Sequence, residues 1–143
     1  MVRSEIALVN QRTGAPIATS VERAMTRATR KRGLLGRDGM PAGSALMIEP
    51  CPAVHTAFMR FAIDVVFVDR DGRALKIVSD LAPWRMAWSP SAHAVVELAA
   101  GRLRSCEVVV GDRLYLAPQP ASPESASSGG FAESMRIAAA KMA

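Results

Sequence analysis

The stretch that decides the fold is Ile63-Asp64-Val65-Val66-Phe67-Val68, followed by Asp69-Arg70-Asp71-Gly72 and by the alternating segment Arg73 to Val78. The first run is rich in β-branched residues and is apolar at odd and even positions alike, which is typical of a strand buried on both faces. Asp-Arg-Asp-Gly is a tight-turn sequence. Residues 63–79 therefore predict a β-hairpin whose first strand lies at the centre of a sheet.

Short apolar segments separated by turn residues continue on both sides of this hairpin. Residues 4–18 predict a second hairpin that turns at Asn10 to Gly14, where glycine can take a positive φ. Further strands are predicted at residues 45–48, 94–98, 108–110 and 114–116, and residues 80–92 are expected to form a loop. The sequence is therefore typical of a mostly β (α+β) fold built from antiparallel strands.

One segment has the pattern of an amphipathic helix. Thr19 and Glu22 match the Thr-x-x-Glu capping box, and Gly33 is placed to end the helix after a cluster of cations. The apolar residues at spacings of three and four are Val21, Ala24, Met25 and Ala28. We expect a helix over residues 19–32 that packs its apolar stripe against the sheet.

The length and composition indicate one folded domain. The chain has 143 residues, half of them apolar, and we place a single β-rich domain at residues 1–117. Residues 118–143 are rich in Pro, Ala, Ser and Gly and are expected to form a flexible tail, with the spacing of a short helix at 131–143. No apolar run approaches the roughly 20 residues that cross a bilayer. We expect a cytoplasmic protein, unless a leader has been removed, and the two cysteines suit a reducing compartment.

The richest polar cluster runs from His55 to Asp64, at the entrance of the buried strand. Burying the Asp64 carboxylate alone would be costly, so it needs a partner, and Arg60 is the nearest cation in sequence. This arrangement has two interpretations. Either Arg60 and Asp64 pair to fix the entry of the strand, or Arg60 holds an anionic ligand that Asp64, His55 and Thr56 orient.

Glu97 is a second acid in an apolar run, Val95-Val96-Glu97-Leu98. If it shares a cavity with Asp64 or His55, the pair could act as acid and base in a hydrolase. No cofactor and no metal are expected, because the His, Cys, Asp and Glu residues fall at no recognised ligand spacing. The enzyme hypothesis therefore depends on whether the sheet places these residues on one face.

Two other features suggest binding. Trp84 and Trp88 lie in a Pro-flanked loop, where they could form an aromatic lid or cover an open end of the fold. The net charge of +5 lies in residues 1–40, which hold eight Lys/Arg and three Asp/Glu. In a helix, Arg23, Arg27 and Arg30 would share one face and could contact nucleic acid or another partner through the segment 19–37. Aromatic residues are absent from 1–57, so this face has no stacking platform.

An ordered set of motifs resembles a known bacterial and archaeal family, domain of unknown function 192. The set comprises Arg32-Gly33-Leu34-Leu35-Gly36, His55-Thr56, Met59-Arg60, Ile63-Asp64-Val65-Val66-Phe67, Asp69-Arg70-Asp71-Gly72, Val95-Val96-Glu97-Leu98 with Gly101, and Gly111-Asp112. Ala62 and Ala99 stand where such sequences often have proline. The resemblance implies a barrel-like β fold with one packed helix, and no established activity.

Taken together, these features favour a small binding module. The ligand-binding candidates are His55, Thr56, Arg60, Asp64 and Glu97, and the expected ligand is a small anion. The alternatives are a hydrolase that uses Asp64 with Glu97 or His55, and an RNA- or partner-binding protein that uses the basic segment and the tryptophan loop. No membrane partner is expected, and the sequence predicts no particular oligomeric state.

Overall fold

The computed structural model describes residues 6–119, which form a mostly β fold with two short helices. The strands are β1 Ile6–Asn10, β2 Pro16–Ala18, β3 Ser20–Ala24, β4 Ser44–Ile48, β5 Ala53–His55, β6 Ile63–Val68, β7 Ala74–Leu81, β8 Met86–Trp88, β9 Ala94–Ala99 and β10 Leu114–Pro118. The helices are α1 Arg27–Arg32 and α2 Arg102–Ser105. The predicted tail and its helix at 131–143 lie outside the described residues, apart from Pro118 and Gln119.

The strands form three sheets. The central sheet has five strands in the order β3-β4-β9-β6-β7, and the other two have the orders β10-β1-β2 and β5-β8. Only β3 and β4 run parallel among these described pairs. Within residues 6–119, β3 and β7 are the edges of the central sheet and do not pair with each other, so the sheets are not closed into a barrel.

Strand β6 is buried along its whole length, as the sequence predicts. Its side chains alternate between two cores because successive residues of a strand point to opposite faces. Val66 and Val68 belong to the core shared with β1, β2, β10 and α2. Val65 and Phe67 belong to the core on the other face, which Val54 of β5 helps to cover. The central sheet is therefore a middle layer with apolar packing on both sides.

The predicted helix over residues 19–32 is largely wrong. Residues 20–24 form β3, in parallel register with β4, and the helix begins only after the N-cap Thr26. The capping box is formed by Thr26 and Thr29 rather than by Thr19 and Glu22. None of the six residues of α1 is buried, so it packs no apolar stripe. Sheet pairing overrides a helical spacing here, since local propensity is a weak preference.

The two predicted hairpins and the C-terminal half follow the predicted order with local differences. Both hairpins are confirmed, and residues 94–98 lie within β9. Residues 108–110 do not form the predicted strand, because Asp112 accepts the Val109 N–H at 2.9 Å and closes a turn there. The sequence did not predict β8 or the single-turn helix α2. No helix among residues 6–119 is long and apolar enough to cross a bilayer.

Candidate functional site

Asp64 is fully buried, but its partners are backbone groups rather than Arg60. One carboxylate oxygen accepts the Asp80 N–H at 2.9 Å and the other accepts the Leu103 N–H at 2.9 Å, in the first turn of α2. Arg60 instead contacts Asp38 at 2.5 Å on the exposed surface. The predicted Arg60–Asp64 pair is therefore wrong, because two backbone donors already satisfy the buried acid.

The side chain of Thr56 also forms hydrogen bonds with backbone groups. Its buried hydroxyl donates to the Ala82 carbonyl at 2.6 Å and accepts the Arg85 N–H at 2.8 Å, which fastens the segment between β7 and β8. His55 is exposed on β5 and points away from buried Val54, since neighbours in a strand face opposite ways. The structure thus does not bring the residues of the 55–64 cluster together around one cavity.

Glu97 lies on the face of the central sheet opposite to Asp64. Glu97 is directly paired with Val65, and paired residues of neighbouring strands share a face. Asp64 and Val65 are consecutive, so their side chains point to opposite faces. The structure does not bring the two acids of the hydrolase hypothesis to a common point. His55 does not join Glu97 either, because it faces outward from β5.

Glu97 is instead part of a row of side chains that crosses three strands. Glu22 of β3 is paired with Leu46 of β4, and Leu46 is paired with Glu97 of β9, so all three share one face. Arg37 reaches this row from the segment after α1 and donates to the Glu22 carboxylate at 2.7 Å. The row therefore ends in an exposed ion pair at the sheet edge and in a buried acid further inside.

The Glu97 carboxyl is not fully satisfied by the surrounding protein. It is 5% exposed, and its Oε2 atom has no hydrogen-bond partner within the described residues. Burial raises the pKa of Glu97 to about 7, and the positive charge of Arg37 partly opposes this rise. Near neutral pH this side chain can either donate or accept a proton, which is uncommon for a glutamate outside a functional site.

A cleft of about 910 Å³ opens beside this row, at the β3 edge of the central sheet. Its walls are β3, β4, the second half of α1 and the segment that follows it. The polar residues that line it are Ser20, Glu22, Arg23, Thr29, Arg32, Arg37 and Ser44. Leu46 also lines the cleft and is the direct neighbour of Glu97. Glu97 therefore lies one strand behind the cleft wall.

The sequence does not predict this cleft. Glu22 and Arg37 are 15 residues apart and belong to no recognisable motif. The excess of positive charge in residues 1–40 is the one sequence feature that points to this cleft, but the spacing of its arginines predicts a helix face instead. The prediction that Arg23, Arg27 and Arg30 share a helix face is wrong. Arg23 belongs to β3 and forms an ion pair with Glu49, whereas Arg27 and Arg30 belong to α1.

The two tryptophans lie elsewhere. Trp88 is on the outer face of the small β5–β8 sheet and Trp84 is just before it, and both are more than half exposed. Neither lines the cleft. In the described part of the chain, no three His, Cys, Asp or Glu side chains converge as ligands of a metal ion would.

Comparisons with known proteins identify the fold and the family. A protein from Sinorhizobium meliloti 1021, proposed to be a transcription regulator, is 24% identical with a TM-score of 0.70; the match covers 82% of this chain and 98% of that one. A protein of unknown function from Novosphingobium aromaticivorans is 20% identical with a TM-score of 0.65, over 77% and 82% of the two chains. No curated protein matches the chain. The model of domain of unknown function 192, described as an uncharacterized ACR, matches residues 8–116. The chain therefore belongs to the domain of unknown function 192 family.

Proposed function

We propose that this protein is a binding module for a small organic anion, held in the cleft beside Glu97. The observation that carries the proposal is the buried Glu97 carboxyl, with one unpartnered oxygen, next to a cleft lined by arginines. Leaving a buried polar group without a hydrogen bond costs about 1–3 kcal/mol. A ligand that donates a hydrogen bond to Glu97 would recover part of that cost.

The charges at the cleft favour an anionic group on this ligand. Arg32 lines the cleft, and its guanidinium has no ion pair within residues 6–119. Arg37 is shared with Glu22, whose side chain is half exposed. A planar guanidinium binds carboxylate or phosphate through paired hydrogen bonds. The two arginines could therefore hold a carboxylate or phosphate while a hydroxyl or amine of the same ligand reaches towards Glu97.

The size of the cleft is consistent with this class of ligand. Its volume of about 910 Å³ lies within the range of roughly 300–1,000 Å³ that is typical of small-molecule sites. The wall beside the cleft has a carboxyl group at each end, at Glu22 and Glu97, with the apolar side chain of Leu46 between them. Such a wall would favour a short molecule with an anionic end and a hydrogen-bond donor.

A matched pair of small acids tests the proposal. Backbone amide shifts are followed by NMR while the protein is titrated with 4-hydroxybutyrate or with butyrate, which lacks only the hydroxyl. We expect 4-hydroxybutyrate to shift the amides of residues 20–24, 29–37 and 44–46 more strongly than butyrate does. Arg37→Ala should abolish these shifts, and Arg104→Ala, which removes an exposed arginine of α2, should retain them. Equal responses to both acids, or shifts confined to other residues, would refute the proposal.

A second candidate function at the same cleft is proton transfer. The pKa of Glu97, about 7, suits a group that exchanges a proton near neutral pH. This version replaces the two-acid hydrolase by a single carboxyl beside arginines that stabilise negative charge. It is tested by incubating the protein with activated esters: turnover that rises or falls with an apparent pKa near 7 and disappears in Glu97→Gln supports it. Turnover unchanged in Glu97→Gln rejects it.

A further inference from the structure

A patch of large apolar side chains lies exposed on the small β5–β8 sheet and beside it. We call it the aromatic platform, and its members are Phe58, Trp84, Met86 and Trp88, exposed by 73%, 60%, 64% and 56%. Proteins rarely leave such side chains in water in one place unless a partner covers them. The platform is separate from the cleft, since none of its members lines it.

The platform is built on a fixed backbone. In the β5–β8 sheet, Trp88 is paired with Ala53 and Met86 with His55, and all four face outward while Val54 and Ala87 are buried beneath them. The rings of Phe58 and Trp84 contact each other edge to face, with centroids 4.6 Å apart. The sheet face therefore presents its side chains in a defined arrangement.

Two of the aromatic residues take backbone conformations that disfavour their side chains. Phe58 has a φ of 65° and Trp84 a φ of 63°, in the left-handed region that bulky residues rarely adopt. Each such residue costs roughly a 5- to 150-fold loss in the folding equilibrium. Thr56 helps to hold the segment, because its carbonyl accepts the Trp84 N–H at 3.0 Å. Both rings remain exposed despite this strain.

One cation contacts the platform on the β7 side, and a second lies between two platform residues in sequence. The Lys76 ammonium lies 5.6 Å from the centre of the Trp88 ring and donates to the Trp88 carbonyl at 3.0 Å. Arg85 is exposed between Trp84 and Met86. None of the carboxylates described in residues 6–119 forms an ion pair with Lys76 or Arg85.

The basic helix α1 begins close to the segment that leads into the β5–β8 sheet. The Ala24 carbonyl accepts the Glu49 N–H at 3.2 Å, so the chain that enters α1 runs beside the segment that leads into β5. The positive charge of Arg30 acts on this segment, because it partly opposes the rise that burial causes in the pKa of the Cys51 thiol. Within the described residues, no carboxylate pairs with the cations of α1, which are Arg27, Arg30, Lys31 and Arg32.

We propose that the aromatic platform and α1 together bind single-stranded nucleic acid, with bases stacked on the platform and phosphates held by the flanking cations. Aromatic side chains on a sheet face, bordered by cations, are the usual means of binding an unpaired strand without sequence preference. The basic segment by itself has no aromatic residue. The fold supplies the missing stacking surface from residues 58–88, which are distant in sequence.

The charges decide between this partner and an uncharged protein surface. An apolar protein partner would leave Lys76, Arg85 and the cations of α1 uncompensated, whereas a polyanion pairs with them. An anionic membrane is the other polyanion. It fits less well, because α1 has no apolar face to insert into lipid and the rings lie on and beside a sheet rather than on an amphipathic helix.

The test uses the full chain and a fluorescein-labelled strand of thymidines or uridines, about 16 nucleotides long. We expect saturable binding, measured by anisotropy, that weakens with salt. Trp88→Ala and Trp84→Ala should each weaken it about 10-fold, and Trp88→Phe should retain most of it. Val110→Ala, an apolar residue that is 61% exposed elsewhere, is the matched control and should bind as the wild type does.

The contribution of α1 is tested separately by salt dependence. Replacing Arg27, Arg30 and Lys31 together with alanine should reduce the slope of log affinity against log salt by about 2. Arg104→Ala on α2 should leave the slope unchanged. Circular dichroism and thermal melting establish that each variant folds. These variants leave Arg32, Arg37 and Glu97 intact. Nucleic-acid binding can therefore be absent while the cleft still binds its anion, and it can be present while the cleft binds none.

Three outcomes would overturn the proposal. The first is absence of binding by the wild type at low salt, and the second is equal weakening by Trp88→Ala and Val110→Ala. The third is binding of vesicles that contain phosphatidylglycerol, or self-association measured by light scattering, that depends on Trp88 while the oligonucleotide is not bound. That result would assign the platform to a membrane surface or to a second copy of this chain.

Discussion

Asp64 and Glu97 lie on adjacent strands of the central sheet and point to opposite faces of it. Asp64 receives two backbone N–H groups, whereas Glu97 has an oxygen with no partner among residues 6–119. The two buried carboxyl groups therefore have different roles. Asp64 joins β6 to α2 and to the end of β7, and Glu97 remains available beside a basic cleft.

Glu97 should destabilise the folded protein at high pH. Because burial raises its pKa from 4.5 to about 7, ionisation favours the unfolded state, and the stability lost grows between these values and is constant above them. Glu97→Gln should therefore match the wild type near pH 4 and exceed it by roughly 2–4 kcal/mol at pH 8. Urea unfolding at several pH values measures this. Glu107→Gln, at an exposed position, is the control, and a Glu97→Gln variant that is less stable at pH 8 would contradict the account.

Asp64→Asn should destabilise the protein strongly. The amide group turns one acceptor into a donor that faces a backbone N–H, so either the Asp80 or the Leu103 N–H loses its partner. We expect a loss of about 2–4 kcal/mol in the free energy of unfolding. The same change at Asp38, whose side chain is 87% exposed, should alter stability by less than about 0.5 kcal/mol. Similar losses in both variants would show that Asp64 is not the structural acid.

Asp112 should contribute stability that is lost in acid. The hydrogen bond from Arg12, together with those from Val109 and Asn10, lowers the pKa of Asp112 from 3.8 to about 2 despite desolvation. A lowered pKa in the folded state stabilises the protein above pH 3.8, and this gain disappears as the pH falls through about 2.

The variant Asp112→Asn tests this loss of stability at low pH directly. We expect it to cost on the order of 1–2 kcal/mol at pH 7, with the difference from the wild type shrinking towards pH 2. Thermal melting across this pH range measures the effect. Asp71→Asn, at an exposed turn position, should show no such convergence. A constant difference at all pH values would mean that the charge of Asp112 does not matter.

Thr56→Val should loosen the segment that bears Trp84 and Arg85. The substitution removes the hydroxyl that donates to Ala82 and accepts from Arg85, and leaves the partly buried Arg85 N–H without that partner. We expect a loss of about 1–3 kcal/mol and faster hydrogen exchange at the Arg85 amide. Thr56→Ser keeps the hydroxyl and should restore most of the protection. Equal exchange in the valine and serine variants would contradict this role.

Replacing Gly72, in the turn between β6 and β7, should destabilise the protein more than replacing Gly14 does. An added Cβ would lie 2.1 Å from the Leu114 carbonyl oxygen, and its φ is +83°. Gly14 has a similar φ of +71° but open space around the added atom. We expect Gly14→Ala to cost about 1–2 kcal/mol and Gly72→Ala about 3 kcal/mol or more. Equal melting temperatures for the two variants would contradict the close approach.

The sequence predicts the centre of the fold well because its signals there are local. Residues 63–79 combine a run of β-branched residues with a turn sequence, and the structure has a hairpin there. The helix over 19–32 was wrong because the spacing of Val21 and Ala24 also suits a strand whose two faces are both buried. In β3 these residues enter different cores, which only the pairing with β4 reveals.

The candidate site was harder to predict, because its parts meet only through sheet register. Glu97 was identified as an acid in an apolar run, and it is the one candidate that lies beside the cleft. Its neighbours Leu46 and Glu22 come from strands whose order in the sheet no motif encodes. The pairing of Asp64 with Arg60 was wrong because sequence proximity says nothing about backbone donors that arrive from residues 80 and 103.

The link between Glu97 and the cleft is tested most directly by the titration of the Glu97 side chain. Its carboxyl carbon can be followed by NMR from pH 4 to 9 in the wild type and in Arg37→Ala. We predict a pKa of about 7 in the wild type and a higher value in Arg37→Ala, since the charge of Arg37 lowers it. A pKa near the ordinary 4.5, or one that is the same in both proteins, would contradict the account.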